Sequence, residues 1–174
     1  MPSNAELLAR IEALETRLQA VDDVQAIHRL KARYAQLVDA RTPHRKPKTQ
    51  PEIDAAARQV AALFTEDGVW DGGKALGVAT GREQIYQRLR HPTVRFAWHF
   101  FVKPHIEVEG DSAAGSWDIL SPCTSAEGRA MWMAGVEHDT YARRDGQWLH
   151  RSMRLEVVFM TPYERGWGSA PEPG

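Results

Sequence analysis

A chain of 174 residues, 43% of them hydrophobic, is long enough to form one domain with its own core. A net charge of −1 and a pI near 6.7 provide no basic face for nucleic acid, and no apolar run approaches the ~20 residues of a membrane span. The single cysteine, Cys123, excludes an internal disulfide and a cysteine-based metal cluster. The charged N-terminus lacks the apolar stretch of a signal peptide, so a cytoplasmic protein is expected.

Residues 3 to 21 read as a helix. Ser3 or Asn4 can cap it, and Glu6 lies three residues after Ser3 as in a capping box. Leu7, Ile11, Leu14, Leu18 and Val21 keep the four-three spacing of a coiled-coil seam. This stripe either packs on its own domain or forms a contact between subunits. Asp22 caps a second helix, or the first one continues. On residues 23 to 40, Val24, Ile27, Leu30, Tyr34, Leu37 and Val38 form one apolar arc. Tyr34 lies in the middle of that arc and Asp39 on its rim. They stand ~140° apart on an ideal helix, so they can line two sides of a pocket but cannot form a touching pair.

Residues 42 to 51 form a basic, proline-rich loop. A helix is expected from Glu52 to Phe64, with Ala56, Val60, Leu63 and Phe64 buried. Val69-Trp70-Asp71 begins a short strand. Thr80, with Glu83 three residues on, can cap a third short helix. From Val94 the pattern changes to strands: 94–109 bent at Pro104, 112–121, 129–143 and 148–159. Asp145-Gly146 supplies the tight hairpin turn between the last two. Helices followed by an antiparallel meander predict an α+β fold, with helices covering one face of a curved sheet. Three segments are expected: a helical extension (1–21), a domain (22–165) and a tail (166–174).

Several stretches, in this order, resemble the SnoaL-like branch of the NTF2-like superfamily. They are the helix end from Arg33 to Asp39, Ala-Ala-Leu-Phe-Thr-Glu-Asp-Gly-Val-Trp (61–70), Gly-Arg-Glu-Gln-Ile (81–85), the histidine at 99, Ile-Glu-Val-Glu-Gly-Asp (106–111) and Tyr-Ala-Arg-Arg-Asp-Gly-Gln-Trp (141–148). The resemblance implies a cone of curved sheet and helices around a deep apolar cavity. Members include scytalone dehydratase, bile-acid 7α-dehydratase, hexachlorocyclohexane dehydrochlorinase, polyketide cyclases and ketosteroid isomerase, so the fold alone does not give a function. The dehydratase and dehydrochlorinase group is the most similar. There an aspartate at the end of the first core helix orients a strand histidine that removes a proton. Asp39 and His99 match those positions, and Tyr34 matches a tyrosine of the bile-acid enzyme. Arg143 stands near an arginine of the dehydrochlorinase, and Asp118 approximates a second acidic residue of the bile-acid enzyme. The resemblance also implies a homo-oligomer, a trimer or a dimer.

β-Elimination of water or halide needs a base beside an activating group and a donor for the developing charge. Histidine suits the first task, because its ordinary pKa lies near neutrality. A carboxylate on the far ring nitrogen fixes the tautomer. Tyr34 would donate to a carbonyl or leaving hydroxyl. No nucleophile is evident, so proton transfer without a covalent intermediate is expected. The structural alternatives are a core histidine at 99, a turn residue at 39 and a core tyrosine at 34. Residues expected to bind substrate are Trp70, Trp98, Phe101, Asp118, Met133, His138, Tyr141 and Arg143. Phe64, Trp117, Met131, Met153 and Phe159 are further lining candidates, and the remaining histidines, His150 included, are read as surface or structural. There is no HExxH, His-x-His, GxGxxG or P-loop, so no metal and no cofactor are expected. The expected partner is a hydrophobic, cyclic small molecule, and the expected activity a cofactor-independent lyase. An isomerase or cyclase with Asp39 or Asp118 as base, or a non-catalytic binding module, are the alternatives.

Overall fold

The computed structural model describes residues 2–43 and 46–164. His44, Trp167 and the tail at 166–174 lie outside them. The N-terminal helices are one: α1 runs unbroken over Asn4–Ala40, opened by the Ser3–Glu6 capping box. Asp22 therefore caps nothing. The first half of α1 does not pack on the domain. Leu7, Ile11, Leu14, Leu18 and Val21 are all exposed, Leu14 by 60%. The second half is buried on one face, through Ile27, Leu30, Lys31, Tyr34, Leu37 and Val38.

Helix α2 (Gln50–Ala61) starts at Thr49, whose backbone N–H donates to Glu52 at 2.9 Å. Strand β1 (Phe64–Asp71) begins earlier than its sequence pattern suggested. After the single turn α3 (Gly73–Leu76) come β2 (Val78–Thr80) and α4 (Arg82–Leu89). The residue capping α4 is Gly81, at φ 81°, rather than Thr80. A positive φ at that junction favours glycine.

The expected strand 94–109 is two strands, β3 (Val94–Ala97) and β4 (Phe100–Glu109), both antiparallel to β5 (Ser112–Ser125). The break falls at Trp98 and His99. The Trp98 N–H donates to Pro122 O, whereas the His99 N–H donates to the Asp39 carboxylate. A side chain of α1 thus replaces a strand acceptor at the break. A second irregularity, between Val102 and His105, coincides with the bend expected at Pro104. Strands β6 (Ala130–Arg144) and β7 (Gln147–Pro162) are joined at Asp145-Gly146, with φ of 50° and 76°. The sheet order is β2-β1-β7-β6-β5-β3, and β4 also pairs β5. From β3 to β7 all neighbours are antiparallel, but β1 joins β7 in parallel, so the sheet is mixed. The helices cover its concave face.

Two core clusters lie side by side under α1. One gathers Tyr34, Val60, Phe64, Trp70, Ile85 and Met153, the other Ile27, Ala113, Trp117, Tyr141 and Trp148. Between them sits a buried polar group. Among the described residues no helix is long and apolar enough to cross a membrane.

Candidate active site

A cavity of about 390 Å³ opens within the cone, a size suited to a small organic ligand. Its wall is largely apolar, with Val38, Trp70, Ile119, Met133, Met153 and Leu155 among the lining side chains. Tyr34, Arg41, His99 and Glu137 add polar groups.

His99 and Asp39 meet at this wall. The His99 Nδ1 lies 2.6 Å from Asp39 Oδ1, and the His99 backbone N–H donates to both carboxylate oxygens, at 3.2 and 3.3 Å. The carboxylate therefore fixes backbone and ring together. With Nδ1 engaged, Nε2 is the ring nitrogen left for a ligand. The ring stacks on Phe101, whose plane is tilted by only 12°. Asp39 can reach because it is the second-to-last residue of α1, and the strand break lies above that helix end.

Tyr34 is 3% exposed and accepts the Trp70 indole N–H at 3.0 Å. That bond occupies the phenol as an acceptor and leaves its own proton available to donate. Burial pushes the phenol pKa well above its usual value, and the charge of Glu137 adds to this, so the donor stays protonated at neutral pH.

Beside Tyr34 lies a buried ion cluster. Lys31 Nζ donates to Glu137 at 2.5 Å and to Asp139 at 2.7 Å. Tyr141 donates to Asp139 at 2.7 Å and accepts from Trp117 at 2.9 Å. The ammonium also lies over the Phe101 ring, 4.2 Å from its centre. One cation serves two carboxylates, and burial raises the Glu137 pKa, with the nearby Asp139 charge adding to it. His150 is wholly buried next to them, and neither ring nitrogen finds a hydrogen-bond partner. Burial lowers its pKa to about 4, so it is neutral at pH 7.

The expected site residues divide accordingly. Tyr34, Trp70, His99 and Met133 face one cavity, with Asp39 behind His99. Phe101 packs under them against Tyr34 and His99. The other five lie elsewhere. Trp98 is 53% exposed and stacks on Phe100, because the strand break turns its ring outward while His99 turns in. Odd residues of β5 from Trp117 to Cys123 are buried, so Asp118 points outward and pairs with Lys103. On β6 the same parity buries Glu137, Asp139 and Tyr141 and turns His138 out, where it meets Glu156. Tyr141 is buried, but in the ion cluster rather than at the cavity. Arg143 holds Asp23 with two bonds, at 2.7 and 2.9 Å, and Asp111 with a third at 2.9 Å. It lies over Trp148 and ties α1 to the end of the β6–β7 hairpin. Of the further lining candidates, Met153 reaches the cavity, while Phe64 and Trp117 are core.

Lys31, Arg41, Glu137, Asp139 and the buried state of His150 escaped the sequence reading. A signal existed for Lys31: it sits four after Ile27 and three before Tyr34, on the apolar stripe itself. Among the described residues no three His, Cys, Asp or Glu side chains gather as metal ligands.

The curved mixed sheet with helices on its concave face is the NTF2-like cone. Residues 51–154 match the SnoaL-like domain, and the chain belongs to that family. It is similar in structure to a hexachlorocyclohexane dehydrochlorinase, LinA type 2, with a TM-score of 0.68 and 21% identity over 84% of this chain and 92% of that one. A candidate scytalone dehydratase from Novosphingobium aromaticivorans gives a TM-score of 0.67 and 23% identity, over 88% of this chain and 94% of the other. Rv3472 from Mycobacterium tuberculosis, a protein of unknown function, gives 0.62 and 25% over 80% and 73%. No curated protein matches. Neighbours of such low identity bear on the fold alone.

Proposed function

We propose that the protein is a cofactor-independent lyase that eliminates water or halide from a hydrophobic, cyclic small molecule. The observation that carries this reading is the 2.6 Å contact of His99 Nδ1 with Asp39 at the wall of an apolar cavity. In the reaction, His99 Nε2 takes a proton from the carbon next to an activating group. The electron pair forms the new double bond as the bond to the leaving group on the neighbouring carbon breaks; halide leaves as the anion, whereas a hydroxyl leaves as water by taking the proton back from the His99 imidazolium. Asp39 holds the tautomer that exposes Nε2 and stabilises the imidazolium that forms. Tyr34 donates its proton as a hydrogen bond to the oxygen on which charge develops. The resemblance of the cone to a dehydrochlorinase and to a candidate dehydratase agrees with this chemistry.

A panel of hydroxylated and halogenated cyclic compounds tests the reading, by release of water or halide. Double-bond migration in a 3-keto steroid, without release, would favour an isomerase instead. Binding without any reaction would favour a carrier. We also propose a homo-oligomer, supported by the exposed apolar stripe of α1 and the exposed Trp98, Phe100 and Leu120 on the outer sheet face.

A further inference from the structure

The cavity wall carries a guanidinium that forms no direct ion pair among the described residues, although the Asp39 charge lies near enough to favour it. Arg41 stands at the C-terminal end of α1, two residues after Asp39, and lines the cavity. Its Nη1 donates to Leu89 O at 2.6 Å, while its Nε is buried without a hydrogen-bond partner. No carboxylate of the described residues forms an ion pair with it. Asp39 directs its oxygens to His99 instead. Of the two acidic residues on the lining, Glu137 is held by Lys31, and Glu127 accepts from Ser125 on the exposed rim. A guanidinium keeps its charge at neutral pH, and Arg41 is half-buried with one backbone carbonyl as its only hydrogen-bond acceptor among the described residues, so part of its donor capacity is unmet, which is costly. Such a group is explained when a ligand brings the anion. An arginine fork matches a carboxylate in shape as well as in charge.

We infer that Arg41 is an anion-binding group of the cavity and that the natural ligand is a hydrophobic carboxylic acid. This rests on the cavity being the ligand site of the proposed lyase, and it names the class of that ligand. A carboxylate at Arg41 would lie close to the end of α1, from which Asp39 orients the base. The acid group would thereby set which carbon of the ligand faces His99.

The test is calorimetric titration of the full chain with 2-naphthoate and with its neutral analogue 2-naphthamide, at neutral pH and low salt. The expected result is tighter binding of the naphthoate by about tenfold, the range of a charge-assisted bond over a neutral one. Arg41→Gln should reduce the preference to about twofold or less. Arg41→Lys, which keeps the charge, should retain part of it. Arg17→Gln, on the exposed first half of α1 and away from the cavity, should leave it unchanged. Equal affinities in the native protein, no binding of naphthoate, or a preference that survives Arg41→Gln would overturn the inference. So would an Arg41→Gln protein that weakens both probes alike. His99→Gln should keep the preference. The carboxylate subsite can therefore stand if the elimination reading fails, and can fail while elimination stands.

Discussion

The ring of His99 and the carboxylate of Asp39 meet at 2.6 Å across sixty residues of sequence, and the same carboxylate receives the His99 backbone N–H. This double hold predicts a single tautomer, with the proton on Nδ1. Long-range nitrogen–proton NMR of histidine-labelled protein should show His99 protonated at Nδ1 when neutral. In Asp39→Asn that preference should weaken. A ring protonated mainly at Nε2 in the native protein would contradict the assignment.

Lys31 neutralises two buried carboxylates at once. Lys31→Met should cost about 3–5 kcal/mol in denaturant unfolding, the range for removing one partner of a buried ion pair. Adding Glu137→Gln and Asp139→Asn to that variant should recover a large part of the loss, since the uncompensated charges go with them. A Lys31→Met protein of native stability would show that the cluster is hydrated and not dry.

His150 links stability to pH. Its folded pKa of about 4 lies below the ordinary value of 6.5, so the unfolded chain binds more protons between those two values. Stability from this residue is complete above pH 6.5 and falls as the pH drops toward 4. The full difference amounts to about 3 kcal/mol. Glu137 works in the opposite sense: its raised pKa makes stability decline as the pH rises above 4.5. The His150 part is therefore read as a difference. His150→Phe should lose stability less steeply than the native protein between pH 6.5 and pH 4. Parallel melting curves against pH for the two proteins would contradict the neutral, buried imidazole.

Tyr34 combines a structural and a proposed chemical task. Tyr34→Phe leaves the Trp70 N–H without its acceptor, a loss of about 1–3 kcal/mol. If the phenol also donates to the reacting oxygen, kcat should fall by about 10²–10³ with little change in KM. Loss of stability with unchanged kcat would leave Tyr34 as a wall residue only.

Much of this architecture was legible in the residues. The apolar arc of α1 and the Asp-Gly hairpin each follow from a local rule, and the structure follows them; the strand pattern after Val94 holds except at Trp98 and His99, where the expected strand divides in two. Strand β1 illustrates what is not local. Its parallel pairing with β7 joins residues some eighty positions apart, and no turn signal marks such a contact. Parity was the other gap. Asp118 and His138 sit on strands whose two faces are both mixed, because polar residues line the buried ion cluster and apolar ones lie exposed on the outer face. Lys31 was hidden for a related reason, since a lysine on an apolar stripe is ordinarily read as a solvated chain. Arg41 lies just past the helix end, where periodicity no longer says which way a side chain points.

With His99 as the base and Asp39 as its positioning residue, the decisive comparison is of elimination rates for the native protein, His99→Ala and Asp39→Asn on a substrate from the panel, alongside their thermal midpoints. His99→Ala should lose turnover, Asp39→Asn should fall by about 10³–10⁴, and both should melt close to the native protein. A His99→Ala protein that is folded and turns over at the native rate would contradict His99 as the base.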